Sequence, residues 1–403
     1  ANQRSYLRTM QLLENYVGGR WVPGEGKETT LLNAVHGNPV AYSRSGGVDF
    51  KAILEYGRKT GGPALRKMTF HERGRMIKAL ALYLHDRKDK YYPISYQTGA
   101  TKADSWVDIE GGIGNLFANA SLRRRFPDLP YHVEGEAIAS SKNGKFIGHH
   151  IMVPKQGIAI HINAFNFPIW GMLEKIAVNL LAGVPALVKP ATVSSYVTEA
   201  IFRDIIASGI LPVGAVQLLV GSAHGILDHV QSQDVVTFTG SASTGQQLKG
   251  HPRIISEAVP FNLEADSLNC SILGEDAKPG TEEFDLFIKE VRKEMTLKCG
   301  QRCTGIRRAI VPANLLEDVQ IALSKALAQT TIGDPQVEGV RMGALAGKTQ
   351  VAEVRSQVEK LLKETNMVYG NMNEVTLIGA NAEQGAFLSP MLLVNEHPLS
   401  STL

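Results

Sequence analysis

Between positions 157 and 250 the chain alternates short apolar runs with amphipathic ones, and few architectures accept that order. The pattern predicts strand 157–162, helix 169–182, strand 185–188, helix 194–208, strand 215–220, helix 224–232, strand 234–238 and helix 243–250. Strands this short and this uniformly apolar are buried on both faces. They belong to a parallel sheet with right-handed crossover helices on each side. Such a doubly wound sheet takes its ligand in the crevice at the carboxyl ends of its strands. Asn166, Lys189, Gly221 and Gly240 all fall just past the predicted strand ends.

Upstream, Thr69-Phe70-His71-Glu72 has the hydroxyl and carboxylate spacing of a capping box. Met76, Ile77, Leu80, Ala81 and Leu84 then recur at helical spacing. A second helix is predicted over 103–124. Its Gly111-Gly112-Ile113-Gly114 run follows no strand, so close helix packing is its expected use rather than phosphate binding. From 131 to 160 the pattern becomes extended, with Gly135, Gly144 and Gly148 as turn points, which predicts a hairpin leaving the domain. Past Glu264 the alternation resumes: strand 268–273, helix 282–298, strand 307–311, and helices 315–329 and 349–364. The chain ends after the apolar run 387–394 without a capping sequence, which reads as an interruption; Met10 reads as the natural start.

A net charge of +3 over 42 basic and 39 acidic residues argues against nucleic acid as a partner. Arg123-Arg124-Arg125 is the densest basic patch and is expected to be a solvated helix end. No run of 18 apolar residues lacks Pro, Gly or charge, so no membrane span is expected, and the first nine residues lack the apolar core of a signal peptide. Three cysteines make no disulfide framework and suit a reducing cytoplasm. His149, His150 and His161 lack cysteine or carboxylate company, so no metal site is expected.

Cys303 sits in Lys298-Cys299-Gly300-Gln301-Arg302-Cys303-Thr304-Gly305, after a predicted helix and before a strand. In a glycine-bounded turn the sulfur can project, and the cysteine's own N–H can face an oxyanion. A cysteine attacks as thiolate, so its site must favour that form or supply a base. Cys299 is the rival thiol and is expected to be a packing or accessory thiol, and Cys270, in a predicted strand, a core residue. Glu264, after the apolar Val259-Pro260-Phe261, is the candidate base. It is expected to be buried, because burial brings a carboxyl closer to neutral titration. Asn166 can donate its amide N–H to a developing oxyanion. Lys175, on the following helix, could reach inward as a proton relay, with a surface helix lysine as the competing expectation. Gly240-Ser241 and Gly245 open a helix after a strand, an arrangement that favours phosphate. Lys189-Pro190-Ala191-Thr192 ends a strand. Its lysine can meet ribose hydroxyls or a 2′-phosphate, and Thr192 puts no carboxylate beside the ribose, which favours NADP over NAD.

These landmarks, with Ala103-Asp104-Ser105-Trp106-Val107-Asp108-Ile109-Glu110-Gly111-Gly112, Ile162-Asn163-Ala164-Phe165-Asn166-Phe167-Pro168 and Glu264-Ala265-Asp266-Ser267-Leu268-Asn269, resemble the aldehyde dehydrogenase superfamily from Met10 onward. They look closest to its NADP-using branch that acts on CoA-linked semialdehydes. That branch includes the dehydrogenase half of the bifunctional ring-opening enzyme of phenylacetate degradation and the semialdehyde dehydrogenase of the benzoyl-CoA epoxide pathway. The common Glu-Leu-Gly-Gly-Lys is replaced here by Glu264-Ala265-Asp266-Ser267, a change the branch shares. The resemblance implies Cys303 as nucleophile, Glu264 as base and Asn166 as oxyanion donor. It implies cofactor contacts at Lys189, Gly240, Ser241 and Gly245, with Thr192 and Gly221 beside them, and a homo-oligomer. It implies a dinucleotide-binding domain over 10–130 and 151–265, an oligomerisation hairpin over 131–150 and a catalytic domain from 266 to 403. The expected substrate is a CoA-linked aldehyde such as 3-oxo-5,6-dehydrosuberyl-CoA semialdehyde. The family's later Glu-x-Phe-Gly-Pro segment, its last oligomerisation strand and a hydratase domain are absent from this sequence. No hydratase activity and an incomplete dehydrogenase site are therefore expected.

Two other readings compete. A CoA-acylating dehydrogenase passes the acyl group to CoA and needs no base at 264, so Glu264 disfavours it. A nucleotide-binding fragment without turnover is favoured only by the early end of the chain.

Overall fold

The computed structural model describes residues 11–397. The expectations for Met10 and for the end at Leu403 lie outside the described residues. Two compact units emerge among the described residues: 11–30, 41–91 and 107–265 form the first, and 31–40, 92–106 and 266–397 the second. The segments 31–40 and 92–106 thus differ from the expected unbroken 10–130 stretch. Their bonding gives the reason: Ala34 N–H donates to the Gln97 carbonyl and its own carbonyl accepts from Ala386 N–H. Ala34 and Val35 are buried in one cluster with Ala386, Phe387 and Leu388. Local periodicity carries no trace of such pairings.

In the first unit the apolar runs become strands of one sheet. These are β1 (Glu14–Val17), β2 (Arg20–Pro23), β3 (Ala159–Ile162), β4 (Ala186–Lys189), β5 (Val216–Leu218), β6 (Val235–Gly240) and β7 (Phe261–Ala265). The order is β7-β6-β3-β4-β5-β1-β2. The first five are mutually parallel, and β1 and β2 close one side antiparallel. From β3 the chain steps to β4 and β5, then returns to lay β6 on the other flank of β3. The strand order therefore reverses between β3 and β6, the place where such sheets open a crevice.

The longer helices are α1 (Phe70–His85), α2 (Gly112–Leu122), α3 (Pro168–Leu181), α4 (Ser195–Ala207) and α5 (Ala242–Lys249). Helix α1 begins with the expected capping box: Thr69 and Glu72 each bond the other's backbone N–H. The paired glycines behave as expected too. A Cβ at Gly111 would lie 2.4 Å from the Trp170 ring, and one at Gly112 would lie 3.0 Å from Trp170 Cα. The expected helix 224–232 is reduced to a single turn, Ile226–His229. Gly225 enters it with φ 92°, a left-handed start, and Val230 leaves it extended, so no longer helix can form.

Two buried polar groups tie the sheet together. Asp234, fully buried, accepts both Arg58 Nε (3.1 Å) and Nη2 (2.5 Å) and the backbone N–H groups of Ile158 and Gln231. That pair anchors the amino ends of β3 and β6. On β3, His161 bridges Thr237 Oγ1 and Asn179 Oδ1, each at 2.8 Å.

The antiparallel hairpin His132–Ala139 with Ile147–Met152 forms a separate two-stranded sheet. Its Ile138, Phe146, Ile147 and Ile151 are exposed. Among the described residues no helix is long and apolar enough to cross a membrane.

The second unit holds β8 (Cys270–Ile272) parallel to β9 (Arg308–Ile310), with helices α6 (Glu282–Thr296), α7 (Leu316–Ala328) and α8 (Lys348–Leu361). Helices α6 and α7 share a core of Phe284, Phe287, Ile288, Val291, Val319 and Leu323. Cys270 is not the core residue expected. It is exposed, on the same open face of the strand pair as Leu268, Ile272 and Ile310. Apolar composition gave the strand, but composition does not say which face is covered.

His161 supplies a test of the buried network. Burial pushes its imidazole down to about 4 from 6.5. The folded state then binds fewer protons than the unfolded one between those values, so this contribution is present above pH 6.5 and lost as pH falls toward 4. His161→Gln, which cannot protonate, should flatten that window of the stability profile. The wild-type loss there should be roughly 3 kcal/mol by the conversion of pKa shift to free energy. Chemical denaturation at stepped pH measures it.

Candidate active site

In the first unit the candidate residues gather along the carboxyl edge of the parallel sheet. Asn166 lies between β3 and α3, and its Oδ1 accepts the Phe167 N–H at 3.0 Å, which orients the amide. Pro168 opens α3 and no side chain of Phe167 caps it. The missing cap comes from Asp108, whose Oδ1 accepts the N–H groups of Ile169 (3.0 Å) and Trp170 (2.7 Å). Asp108 is buried and has no local signature as a cap, because it lies far away in the chain.

Lys175 does not stand alone. Its ammonium donates to Glu174 Oε1 at 2.9 Å, and Glu174 also accepts from Trp170 Nε1. That pairing fits support of α3 better than an inward relay.

Lys189 ends β4. It is buried, donates to the Pro190 carbonyl, and is pushed down to about 8 by desolvation. Thr192 begins a single turn, Thr192–Ser194. Gly221 follows β5, and its lack of a side chain has a packing cause: a Cβ there would meet the Arg44 carbonyl oxygen at 2.6 Å. Gly240 closes β6, where a Cβ would lie 2.6 Å from the Phe238 ring. A Cβ on Gly245 would lie 2.3 Å from Leu263 Cδ1, so this glycine seats α5 against β7. Ser241 caps α5 by accepting the Thr244 N–H.

Glu264 pairs in register with Thr239, whose hydroxyl donates to Oε2 at 3.4 Å. The expected burial is not met: Glu264 is exposed. β7 is the outermost strand of its sheet, and its alternation turns Asn262 and Glu264 outward while Leu263 turns in.

This edge suits a dinucleotide. Among the described residues, Asn163 beside β3 is buried with neither Nδ2 nor Oδ1 bonded. A buried amide, a buried ammonium at Lys189 and the start of α5 offer the donors and acceptors that phosphates, ribose hydroxyls and a carboxamide require.

In the second unit Cys303 occupies a turn and is exposed. The backbone before it is unusual. Lys298, Cys299 and Gly300 have φ of 51°, 55° and 71°, three left-handed residues in succession. Such geometry in a non-glycine residue costs about 1–2 kcal/mol and needs external support. Asp104 supplies some, accepting the Lys298 N–H at 2.8 Å, while Lys298 Nζ donates to Thr98 Oγ1. The predicted helix 282–298 therefore ends earlier, at Thr296, and Cys299 lies in the kink. Cys299 is half-buried as a residue but its sulfur is enclosed. The thiol donates to the Gly343 carbonyl, and burial, then Asp104, pushes it up to about 12. It is the packing thiol expected.

Side chains bond the carbonyls of the turn. The Cys303 carbonyl accepts from Ser267 Oγ (2.5 Å) and Asn269 Nδ2 (2.6 Å). Asn269 also reaches the Gly305 carbonyl at 3.1 Å. Arg307 donates to the carbonyls of Gly300 (2.8 Å) and Arg302 (2.9 Å). Gln301 donates to the Lys298 carbonyl and accepts from Ala346 N–H, and Arg302 pairs with Glu294 at 2.9 Å. Sequence reading had not singled out Asn269 or Arg307 for any role.

Residues 21–402 match the aldehyde dehydrogenase family. The chain is 40% identical to 3,4-dehydroadipyl-CoA semialdehyde dehydrogenase of Aromatoleum evansii over 390 residues, 96% of this chain and 76% of the relative. Two solved structures share the fold at lower identity. Betaine aldehyde dehydrogenase of Staphylococcus aureus, solved with NAD+, has a TM-score of 0.81 at 18% identity, covering 95% of this chain and 73% of its own. A NAD-dependent benzaldehyde dehydrogenase of Corynebacterium glutamicum has a TM-score of 0.79 at 20% identity, covering 95% and 79%. The chain belongs to the aldehyde dehydrogenase family, whose members are oxidoreductases acting on aldehydes.

The three thiols should separate by reagent. In the native protein a maleimide near neutral pH should modify Cys270 and Cys303 and spare Cys299 until denaturant is added. Peptide mass mapping checks it; modification of Cys299 in the folded protein would contradict its enclosure.

Proposed function

We propose that this protein oxidises a CoA-linked semialdehyde to the carboxylate, with NADP as acceptor and a thioester on Cys303 as intermediate. The supporting observation is the exposed Cys303 thiol, carried on a turn whose carbonyls are bonded by side chains. The substrate class follows the relative at 40% identity, named for 3,4-dehydroadipyl-CoA semialdehyde. That compound and 3-oxo-5,6-dehydrosuberyl-CoA semialdehyde are the first to assay, which places the activity in aromatic-acid degradation.

Each residue has a stated task. The Cys303 thiolate adds to the aldehyde carbon, forming the carbon–sulfur bond. The Asn166 amide and the Cys303 N–H hold the resulting oxyanion. A nicotinamide held at the carboxyl edge would supply the hydride acceptor that collapse of the oxyanion to a thioester requires. Glu264 draws a proton from water, which adds to the thioester and expels the Cys303 thiolate. Lys189, Thr192, Ser241 and the glycines 221, 240 and 245 would hold the cofactor at the carboxyl edge. The exposed apolar hairpin 132–152 would join copies of the chain.

The preference for NADP rests on Lys189, which would meet the 2′-phosphate as a cation, and on Thr192, which puts no carboxylate beside the ribose. A second reading, transfer of the acyl group to CoA, draws support from the exposure of Glu264. Product formation that requires added CoA would favour it.

Cys303→Ser should lower turnover by about three orders of magnitude or more. Glu264→Gln should slow the steady state by roughly 10²–10⁴ while leaving a first-turnover burst of reduced cofactor intact. A normal steady state in the glutamine variant would remove Glu264 from the reaction.

The cofactor preference should depend on pH. Because Lys189 loses its proton near 8, KM for NADP should climb as pH rises through that value, while KM for NAD should change less. Lys189→Met should abolish the difference in pH dependence. Parallel profiles for both cofactors in the wild type would contradict the assignment.

A further inference from the structure

The bonds around Cys303 have an order that packing alone does not require. Arg302's carbonyl and Cys303's N–H belong to one planar trans peptide, so fixing the carbonyl fixes the direction of the N–H. Arg307 fixes that carbonyl, together with Gly300's, through two nitrogens of its fork at 2.9 and 2.8 Å. The next peptide plane begins with the Cys303 carbonyl, which accepts from both Asn269 (2.6 Å) and Ser267 (2.5 Å). Asn269 also bonds Gly305 at 3.1 Å, one plane beyond Thr304. The peptide planes on either side of the cysteine are therefore held from outside the turn. With both planes held, φ and ψ of Cys303 are set, and with them the direction of its Cα–Cβ bond.

We propose that Asn269 and Arg307 are positioning residues that clamp the two peptide planes flanking Cys303, aligning its sulfur with its own N–H for addition to a carbonyl. This rests on the role proposed above for Cys303. The clamp touches neither substrate nor sulfur. It acts by keeping one backbone conformation populated, so its loss lowers the rate of carbonyl addition without changing how readily the thiol reacts with an alkylating reagent.

The experiment compares Asn269→Ala and Arg307→Lys with the wild-type protein. Lysine keeps the charge but lacks the rigid planar fork that holds two carbonyls in fixed directions. For each, the burst rate of cofactor reduction, KM and kcat for the aldehyde, iodoacetamide modification of Cys303 across pH, and the thermal midpoint are measured. The clamp predicts a burst and kcat lowered by about tenfold to a hundredfold, the scale of a misplaced reacting group. KM should shift less, and the alkylation rate and its pH profile should stay near wild type. A kcat within twofold of wild type in both variants would overturn the proposal. So would alkylation that changes in step with the burst, or a lost cooperative melt in Arg307→Lys, either of which would make the role merely structural. If Asn269→Ala does not fold, Ser267→Ala removes one donor to the same carbonyl and is read by the same outcomes. Cys303→Ser is run alongside: if it keeps turnover, the nucleophile reading fails, whereas an inactive Cys303→Ser with undisturbed clamp variants removes the clamp alone.

Discussion

A backbone carbonyl in a turn has no ladder to bond it, and the account depends on how this chain meets that need around Cys303. Unbonded polar groups shielded from water carry a free-energy cost, so an irregular segment keeps one conformation only if something else bonds it. Here Asn269, Ser267, Arg307 and Gln301 donate to the carbonyls of residues 298 to 305. Gln301 and Arg307 bond the carbonyls of Lys298 and Gly300 in the left-handed run at Lys298, Cys299 and Gly300, which Asp104 supports from the amino side. An exposed thiol on a restrained loop combines exposure with a defined direction, two properties that helices and strands seldom offer together.

The first unit meets a different demand. A parallel sheet buried on both faces must place polar chemistry at its ends, and the reversal between β3 and β6 opens one end. Asp234 and Arg58 hold the amino edge closed with a buried bidentate pair, while the carboxyl edge carries Asn163, Asn166, Lys189 and the start of α5. Asp108 connects the two requirements within this unit. By capping α3 it fixes the segment that carries Asn166.

Much of this was legible in the sequence, and the exceptions have physical causes. Short apolar runs located four of the five parallel strands, β3 to β6, since burial leaves a local mark. The capping box at Thr69 and the close packing of Gly111 and Gly112 were readable for the same reason. The helix expected at 224–232 failed on one glycine whose left-handed conformation is not encoded in periodicity. The burial expected of Glu264 and Cys270 failed because alternation assigns faces but not what covers them. No role was assigned in advance to Asn269, Arg307, Asp104 or Asp108 because they bond backbone groups brought near by folding, and such pairings have no spacing rule. The motif Glu264-Ala265-Asp266-Ser267-Leu268-Asn269 was noticed as a resemblance; its last residue acquires a physical task only when the turn is seen beside it.

The central claim is that the sulfur of Cys303 forms the covalent bond to substrate. It is tested most directly by quenching the protein in acid within its first turnover with a semialdehyde and NADP, then mapping the adduct by peptide mass spectrometry. The account predicts an acyl increment on the peptide containing Cys303, accumulating when position 264 is glutamine. An increment on Cys270 or Cys299, or turnover with no covalent adduct in that variant, would contradict it.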